Sequence, residues 1–229
     1  MSNIPFVILA GGLATRLHPI TVTIPKALIE VVGNPFIYHQ LDLLNENGIT
    51  DVILCIGHLG NLIEEKLGNK YKNITIKYSY DGPKLLGTGG AIKKAIKDIE
   101  SSFGVLYGDS YLPINYKNII EHFTNCKKQG LMTVFKNENK FDVSNITFLN
   151  GNIVEYNKKQ INDQMKYIDY GFSILSKTSF NETEEIFDLS EIIIRLININ
   201  QLAGYEVYER FYEIGSFTGL KELESKLQT

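Results

Sequence analysis

The chain has 229 residues, 44% of them hydrophobic and 21% charged, with a formal net charge of −3. This is an ordinary globular composition, long enough for one large domain or one domain with a small appendage. The charge excludes a general nucleic-acid binder, so any basic groups must act locally, in a site.

Phe6 to Ala10 reads as a strand with no polar face, the mark of a strand inside a parallel sheet covered on both sides. Pro35 to Asn47 reads as a helix ended by Gly48, and Asp51 to Ile56 as a second buried strand. Leu59 to Leu67 is a short helix stopped by Gly68. Ile74 to Tyr80 alternates as a third strand. Gly90 to Ile99 is helical, with Ala91, Ile92, Ala95, Ile96 and Ile99 on one face and lysines opposite. Phe103 to Tyr107 is a fourth strand. This order predicts an α/β fold with a mostly parallel sheet, right-handed crossovers and helices on both faces.

The second half reads differently. Gly130 to Lys136, Val143 to Leu149, Asn152 to Asn157 and Tyr167 to Leu175 are predicted strands, with few helices between them. Asn150-Gly151 favours a type I′ hairpin turn. Asp188-Leu189-Ser190-Glu191 resembles a capping box, which predicts a helix over Glu191 to Asn198. A last helix is expected over Thr218 to Lys226. We therefore expect one domain, residues 1–229. A nucleotide-binding core over about 1–128 would run on into a mixed, strand-rich, acceptor-binding half over about 129–229.

Cys55 and Cys126 lie too far apart for metal-ligand or redox-motif spacing and are expected as reduced thiols. No signal peptide is read at the N-terminus, and no apolar run reaches the ~18 residues that span a bilayer. The cytoplasm is the expected location. The four histidines show no metal-binding spacing, so no catalytic role is assigned to them.

Chemistry concentrates after the first strand, where open α/β sheets place their ligands. In LAGGLATRLHPITVTIPKAL, Leu9 to Leu28, the pair Gly11-Gly12 lets backbone N–H groups approach a ligand and form an anion nest. Arg16 supplies a planar fork for phosphate oxygens, and Lys26 a compact charge on a flexible stem. Together they suit a triphosphate. The Walker pattern is absent and the dinucleotide fingerprint is incomplete, also at Gly87-Thr88-Gly89-Gly90.

These residues resemble the signature of the sugar-1-phosphate nucleotidyltransferases, the nucleotide-sugar pyrophosphorylases. LLGTGGAI at 85–92, YGDS at 107–110 and YEIGS at 212–216 resemble the later motifs of that family, in order. The likeness is strongest to short bacterial heptose- and mannose-1-phosphate guanylyltransferases. It implies a Rossmann-like core, Mg²⁺ as cofactor, and transfer of a nucleotidyl group from a nucleoside triphosphate to a sugar 1-phosphate, releasing pyrophosphate. Capsule, lipopolysaccharide or other glycan synthesis is the implied context. A homodimer is compatible with it, and neither nucleic acid nor membrane is expected as a partner.

By resemblance, Leu9, Ala10, Gly11, Gly12 and Thr15 belong to the nucleotide loop, with Ala14 where glycine is usual. Arg16 and Lys26 act on the phosphates, and Gly87, Thr88 and Gly89 meet the base. A glycine-rich helix start is the other reading of that segment. Asp109 is the implied Mg²⁺ ligand, or else the cap of an Asx turn. Glu213 stands where the family's second metal aspartate falls, or else is a surface glutamate. Lys158 matches the lysine on the sugar phosphate. Asn157 occupies a position that is commonly glutamate, Glu155 is a second candidate for the sugar hydroxyls, and Asp169 and Gly171 lie on the sugar-side strand. Two alternatives stay open: a cytidylyltransferase acting on a non-sugar phosphate, and a non-catalytic binding or regulatory homologue.

Overall fold

The computed structural model describes residues 4–12, 15–82 and 84–228, and of Thr15 only the backbone. In chain order its main elements are β1 (Phe6–Leu9), α1 (Phe36–Glu46), β2 (Asp51–Ile56), α2 (Gly60–Leu67), β3 (Ile74–Tyr80), α3 (Gly87–Ala95), β4 (Ser102–Tyr107), α4 (Tyr116–Cys126), β5 (Gly130–Lys136), β6 (Ile146–Leu149), β7 (Asn152–Tyr156), β8 (Tyr167–Ser176), α5 (Leu189–Asn198), β9 (Leu202–Val207) and α6 (Phe217–Leu227).

One ten-stranded sheet runs through these elements. Its path is β7-β6-β8-β4-β1-β2-β3, closed at the far edge by the short strand Lys70–Tyr71. The β4-β1-β2-β3 core is parallel, as the alternating pattern predicts. β8 joins this core to the second half, pairing antiparallel with both β4 and β5. β9 then lies parallel to β5.

The strands are buried on both faces because their two side-chain rows enter different cores. Phe6 and Ile8 pack with Ile37, Leu41, Ile63, Tyr116 and Ile119 on the α1, α2 and α4 side. Val7 and Cys55 pack with Ala91, Ile92, Ile192 and Leu196 on the α3 and α5 side. This period-2 split is why no polar face is visible in the sequence. Phe6 stacks on Phe172 with ring centroids 5.3 Å apart, tying β1 to β8. Each such fully buried aromatic ring contributes roughly 1.5–3 kcal/mol over its exposed state.

Several expectations shift. Two elements lie outside the expected set: α4, capped by Asn115, whose side chain accepts from the Asn118 N–H, and β9. The strand expected from Val143 starts at Ile146. The residues before it are tied into a loop by Asn137, whose amide donates to the Asp142 carbonyl and the Ser144 hydroxyl. α3 begins at Gly87 instead of Gly90 and ends at Ala95. The Asn150-Gly151 turn has both residues at positive φ, +49° and +78°, as type I′ requires. The capping box at Asp188 is present, with Ser190 and Glu191 as its partners. Both cysteines are free thiols. No helix among the described residues is long and apolar enough to cross a membrane.

Candidate active site

The site lies at the carboxyl ends of β1, β2, β3 and β4. A cavity of about 280 Å³ opens there, lined among others by Gly11, Gly12, Lys26, Gly87, Thr88 and Asp109. Leu9 and Ala10 also line it, and the Ala10 N–H donates to the Cys55 carbonyl at 2.8 Å, continuing the ladder past the strand. Six separate stretches of sequence thus converge on one cleft. Ala14 lies outside the described residues, as does the Thr15 side chain, so the middle of the phosphate loop is not described.

Lys26 follows Pro25, whose φ of −63° starts a short 3-10 turn, Lys26–Leu28. Its ammonium pairs with the Asp109 carboxylate at 2.8 Å, both groups partly buried. Asp109 follows Gly108, where a Cβ would fall 2.5 Å from the Leu9 carbonyl oxygen; only glycine lets β4 end so close to β1. The Asp109 turn is also held from behind. Gln40, buried on α1, donates to the carbonyls of Tyr107 at 2.9 Å and Ser110 at 2.7 Å. Gln40 is not legible as a site residue in sequence. Its one signal is a polar amide on the otherwise apolar face of Ile37, Leu41 and Leu44.

Glu213 reaches the same place through a two-residue antiparallel ladder, in which Tyr212 faces Tyr111 and Glu213 faces Ser110. The Ile214 N–H donates to the Asp109 carbonyl at 2.9 Å. Although the residue is exposed, its carboxyl is partly desolvated beside the Asp109 turn. That desolvation, then the like charges of Asp109 and Asp142, pushes its pKa up to about 7 against the opposing pull of Arg16 and Lys26. Two carboxylates crowded in this way suit a hard divalent cation, and Mg²⁺ needs only one or two of them beside phosphate and water oxygens. Arg16 lies in the 3-10 turn Thr15–Leu17, its guanidinium against Gly215, where a Cβ would come within 3.4 Å of Nη2.

Lys158 approaches from the second half, its ammonium 5.5 Å from the centre of the Tyr107 ring and 5.6 Å from that of Tyr156. Tyr107 itself lines the cavity, so Lys158 is connected to it. Asp169 lies beneath. Its carboxylate accepts from the Gly171 N–H at 3.0 Å and the Tyr156 hydroxyl at 3.3 Å. Burial raises its pKa, while Lys158, the Gly171 N–H and the Tyr156 hydroxyl oppose the rise. Gly171 has φ +104°, which accounts for the residue type without a ligand.

Other candidates are engaged locally. The Asn157 side-chain oxygen accepts from the N–H groups of Lys159 and Gln160, and Glu155 accepts from Asn162 at 3.0 Å. The Gly87–Gly90 run is explained mainly by packing. Cβ atoms on Gly89 and Gly90 would lie 2.2 Å from the Phe187 ring and the Glu185 carbonyl oxygen. The Gly89 and Gly90 N–H groups already donate to the Phe187 carbonyl. The Thr88 hydroxyl bonds Asp188 and the Leu189 N–H at the start of α5. This segment lines the cavity, but Gly89, Gly90 and Thr88 direct these hydrogen bonds to α5 and the segment before it.

Comparison with known proteins agrees with this geometry. A D-glycero-alpha-D-manno-heptose 1-phosphate guanylyltransferase of Aneurinibacillus thermoaerophilus is 36% identical over 122 residues, covering 53% of each chain. The enzyme of that name from Campylobacter jejuni is 29% identical over 190 residues, covering 82% of this chain and 83% of the other. The match to the first therefore spans only about half of that relative's length. The crystal structure of HddC from Yersinia pseudotuberculosis complexed with GMP-PN superimposes with a TM-score of 0.79 at 25% identity, over 98% of this chain and 99% of that one. A family model described as nucleotidyl transferase matches residues 6–143, which carry Arg16, Lys26 and Asp109. The chain belongs to the nucleotidyl transferase family.

Proposed function

We propose that this chain joins a nucleoside triphosphate to a sugar 1-phosphate, yielding a nucleoside-diphosphate sugar and pyrophosphate. The observation that carries the reading is the Lys26–Asp109 pair at 2.8 Å, at the carboxyl end of a parallel sheet, with Lys158 entering from the opposite half. The acceptor phosphate is already ionised near neutral pH, so no general base is needed. Its oxygen attacks the α-phosphorus in line and pyrophosphate leaves. Catalysis then rests on positioning and charge neutralisation. Arg16 holds the leaving pyrophosphate. Lys26 and Lys158 pair with the two phosphates that would otherwise repel each other. Asp109, with Glu213 beside it, would hold Mg²⁺, which when bound would neutralise phosphate charge.

The heptose- and mannose-1-phosphate guanylyltransferases among the relatives support GTP and a sugar 1-phosphate of that class as the substrates. They also support a role in glycan synthesis, and with it a cytoplasmic location, where nucleoside triphosphates are supplied. The test is a matrix of nucleoside triphosphates against several sugar 1-phosphates, read by pyrophosphate release with Mg²⁺ present. A nucleoside-diphosphate sugar from at least one pair is the expected result. Triphosphate binding with no product from any sugar 1-phosphate overturns the reading.

A further inference from the structure

The Lys26–Asp109 pair joins side chains 83 positions apart in sequence, and one helix reaches both of them. On the Lys26 side, α1 begins at Phe36, whose N–H donates to the Ile29 carbonyl at 2.9 Å, directly after the turn Lys26–Leu28. Ala27 of that turn shares a core with Ile37 and Leu41 of α1. On the Asp109 side, α1 contributes Gln40, whose amide nitrogen reaches the carbonyls of Tyr107 and Ser110. These two carbonyls bracket Gly108-Asp109. The same turn is held again where the Gly108 N–H donates to the Leu9 carbonyl at 3.0 Å and the Ile214 N–H to the Asp109 carbonyl.

The place Gln40 occupies is unfavourable for a glutamine. It is 3% exposed and shares its helix face with the fully buried Ile37, Leu41 and Leu44. Both groups facing its amide nitrogen are carbonyls, so both N–H donors are engaged there. Its Oε1 atom is buried and has no hydrogen-bond partner among the described residues. A buried acceptor left unpaired is destabilising, and an apolar side chain of the same length would avoid it. Such a conflict between a residue and its surroundings is expected at sites kept for function.

We propose that Gln40 is a positioning residue for the reaction. Through the Tyr107 and Ser110 carbonyls it locks the backbone on both sides of Asp109 to α1, the helix that also carries the Lys26 turn. It thereby sets where the Asp109 carboxylate stands against Lys26 and the phosphates, without touching substrate itself. A displacement of about 1 Å in such a group can lower a rate by up to about 100-fold. This deepens the nucleotidyltransferase reading and rests on it.

The test compares two variants with the unaltered chain. Gln40→Met keeps the length and removes both donors. Gln40→Glu keeps the shape and, because burial favours its protonated form, offers one donor. With the triphosphate and sugar 1-phosphate pair that yields product, kcat should fall at least about 10-fold in Gln40→Met and less in Gln40→Glu, while both KM values stay within about 2-fold. In an Asp109→Asn background, Gln40→Met should change kcat by less than about 2-fold, because its effect runs through that carboxylate. Hydrogen exchange on the metal-free chain gives a readout that needs no substrate. The Gly108 and Ile214 amides should exchange at least about 10-fold faster in Gln40→Met, while amides inside β1 keep their protection. Should Gln40→Met not fold, Gln40→Glu carries the same comparisons. A lower Tm with unchanged kcat overturns the proposal, since Gln40 would then be a structural contact alone. So does a kcat loss that is equally large in the Asp109→Asn background, or unchanged exchange at Gly108 and Ile214. Faster exchange there, with no product from any sugar phosphate, would sink the transferase reading and leave Gln40 holding the Asp109 turn. Product formed at an unchanged rate by Gln40→Met would do the reverse.

Discussion

At the scale of single residues, the chemistry depends on charges that neutralise one another before any substrate arrives. Asp109→Asn keeps the shape of the turn but removes the charge that faces Lys26 and the proposed metal. Turnover should fall at least about 100-fold, or roughly 2.7 kcal/mol of lost transition-state stabilisation, while nucleotide still binds. Steady-state pyrophosphate release at limiting Mg²⁺ is the measurement, and near-normal turnover would remove Asp109 from the mechanism. Glu213 gives a test that needs no substrate. Its folded pKa of about 7 lies above the ordinary value of 4.5. The folded chain therefore binds an extra proton between those values, so its stability declines as pH rises through that window. In EDTA, Tm should drop more from pH 5 to pH 8 in the unaltered chain than in Glu213→Gln. Identical pH slopes would mean that the Glu213 carboxyl is neither desolvated nor crowded by like charge in the folded chain. Arg16 and Lys26 were legible in sequence because two glycines, a guanidinium and an ammonium gathered in one loop after a buried strand suit phosphate and little else. Asp109 stood out only through the resemblance of YGDS at 107–110 to a family motif, since an aspartate after a buried strand reads equally well as the cap of a turn. Gln40 was not legible, since one glutamine in a helix looks like a solvated residue until the fold sets it behind the cleft.

At the scale of elements, the buried strands were the most legible part. Asp51–Ile56 and Ile74–Tyr80 match the sequence reading residue for residue, because burial on both faces or strict alternation leaves a strong pattern. β9 was missed because Leu202-Ala203-Gly204-Tyr205 gives no alternation. Its Gly204 instead admits the Phe148 ring, 2.4 Å from where a Cβ would lie. The Gly87–Gly90 run was legible as special but not for its main reason, the approach of residues 185–188. That contact can be tested. In a free helix, glycine to alanine is favourable by about 1 kcal/mol. In Gly90→Ala the new methyl group would meet the Glu185 carbonyl oxygen at 2.2 Å, backbone that cannot swing aside. The gain should be outweighed by a strain of about 1–3 kcal/mol, seen as a lower urea midpoint with unchanged slope. A variant as stable as the parent would mean that the segment before α5 does not press on α3.

At the scale of the whole molecule, β8 sets how the two halves can behave. It bonds to β4 over Phe172 to Ser176 and to β5 over Tyr167 to Asp169 and Ser173 to Leu175. Asp169, on β8, is thereby tied to β4, the strand that leads into the Asp109 turn, with Phe6, Tyr116 and Phe172 packed ring against ring across the join. Among the described residues no linker runs between the β1–β4 half and the β5–β9 half. Enzymes with two lobes on a hinge capture substrate by swinging the lobes together, which costs little when few contacts cross the boundary. Here such a swing would tear a sheet and a core at once. The shared sheet and core therefore predict a fixed anvil, on which adjustment to what is bound is left to surface loops. Its radius of gyration in small-angle scattering should therefore be the same with and without saturating GTP and Mg²⁺, and a measurable contraction on binding would show that the sheet is not the rigid frame described here.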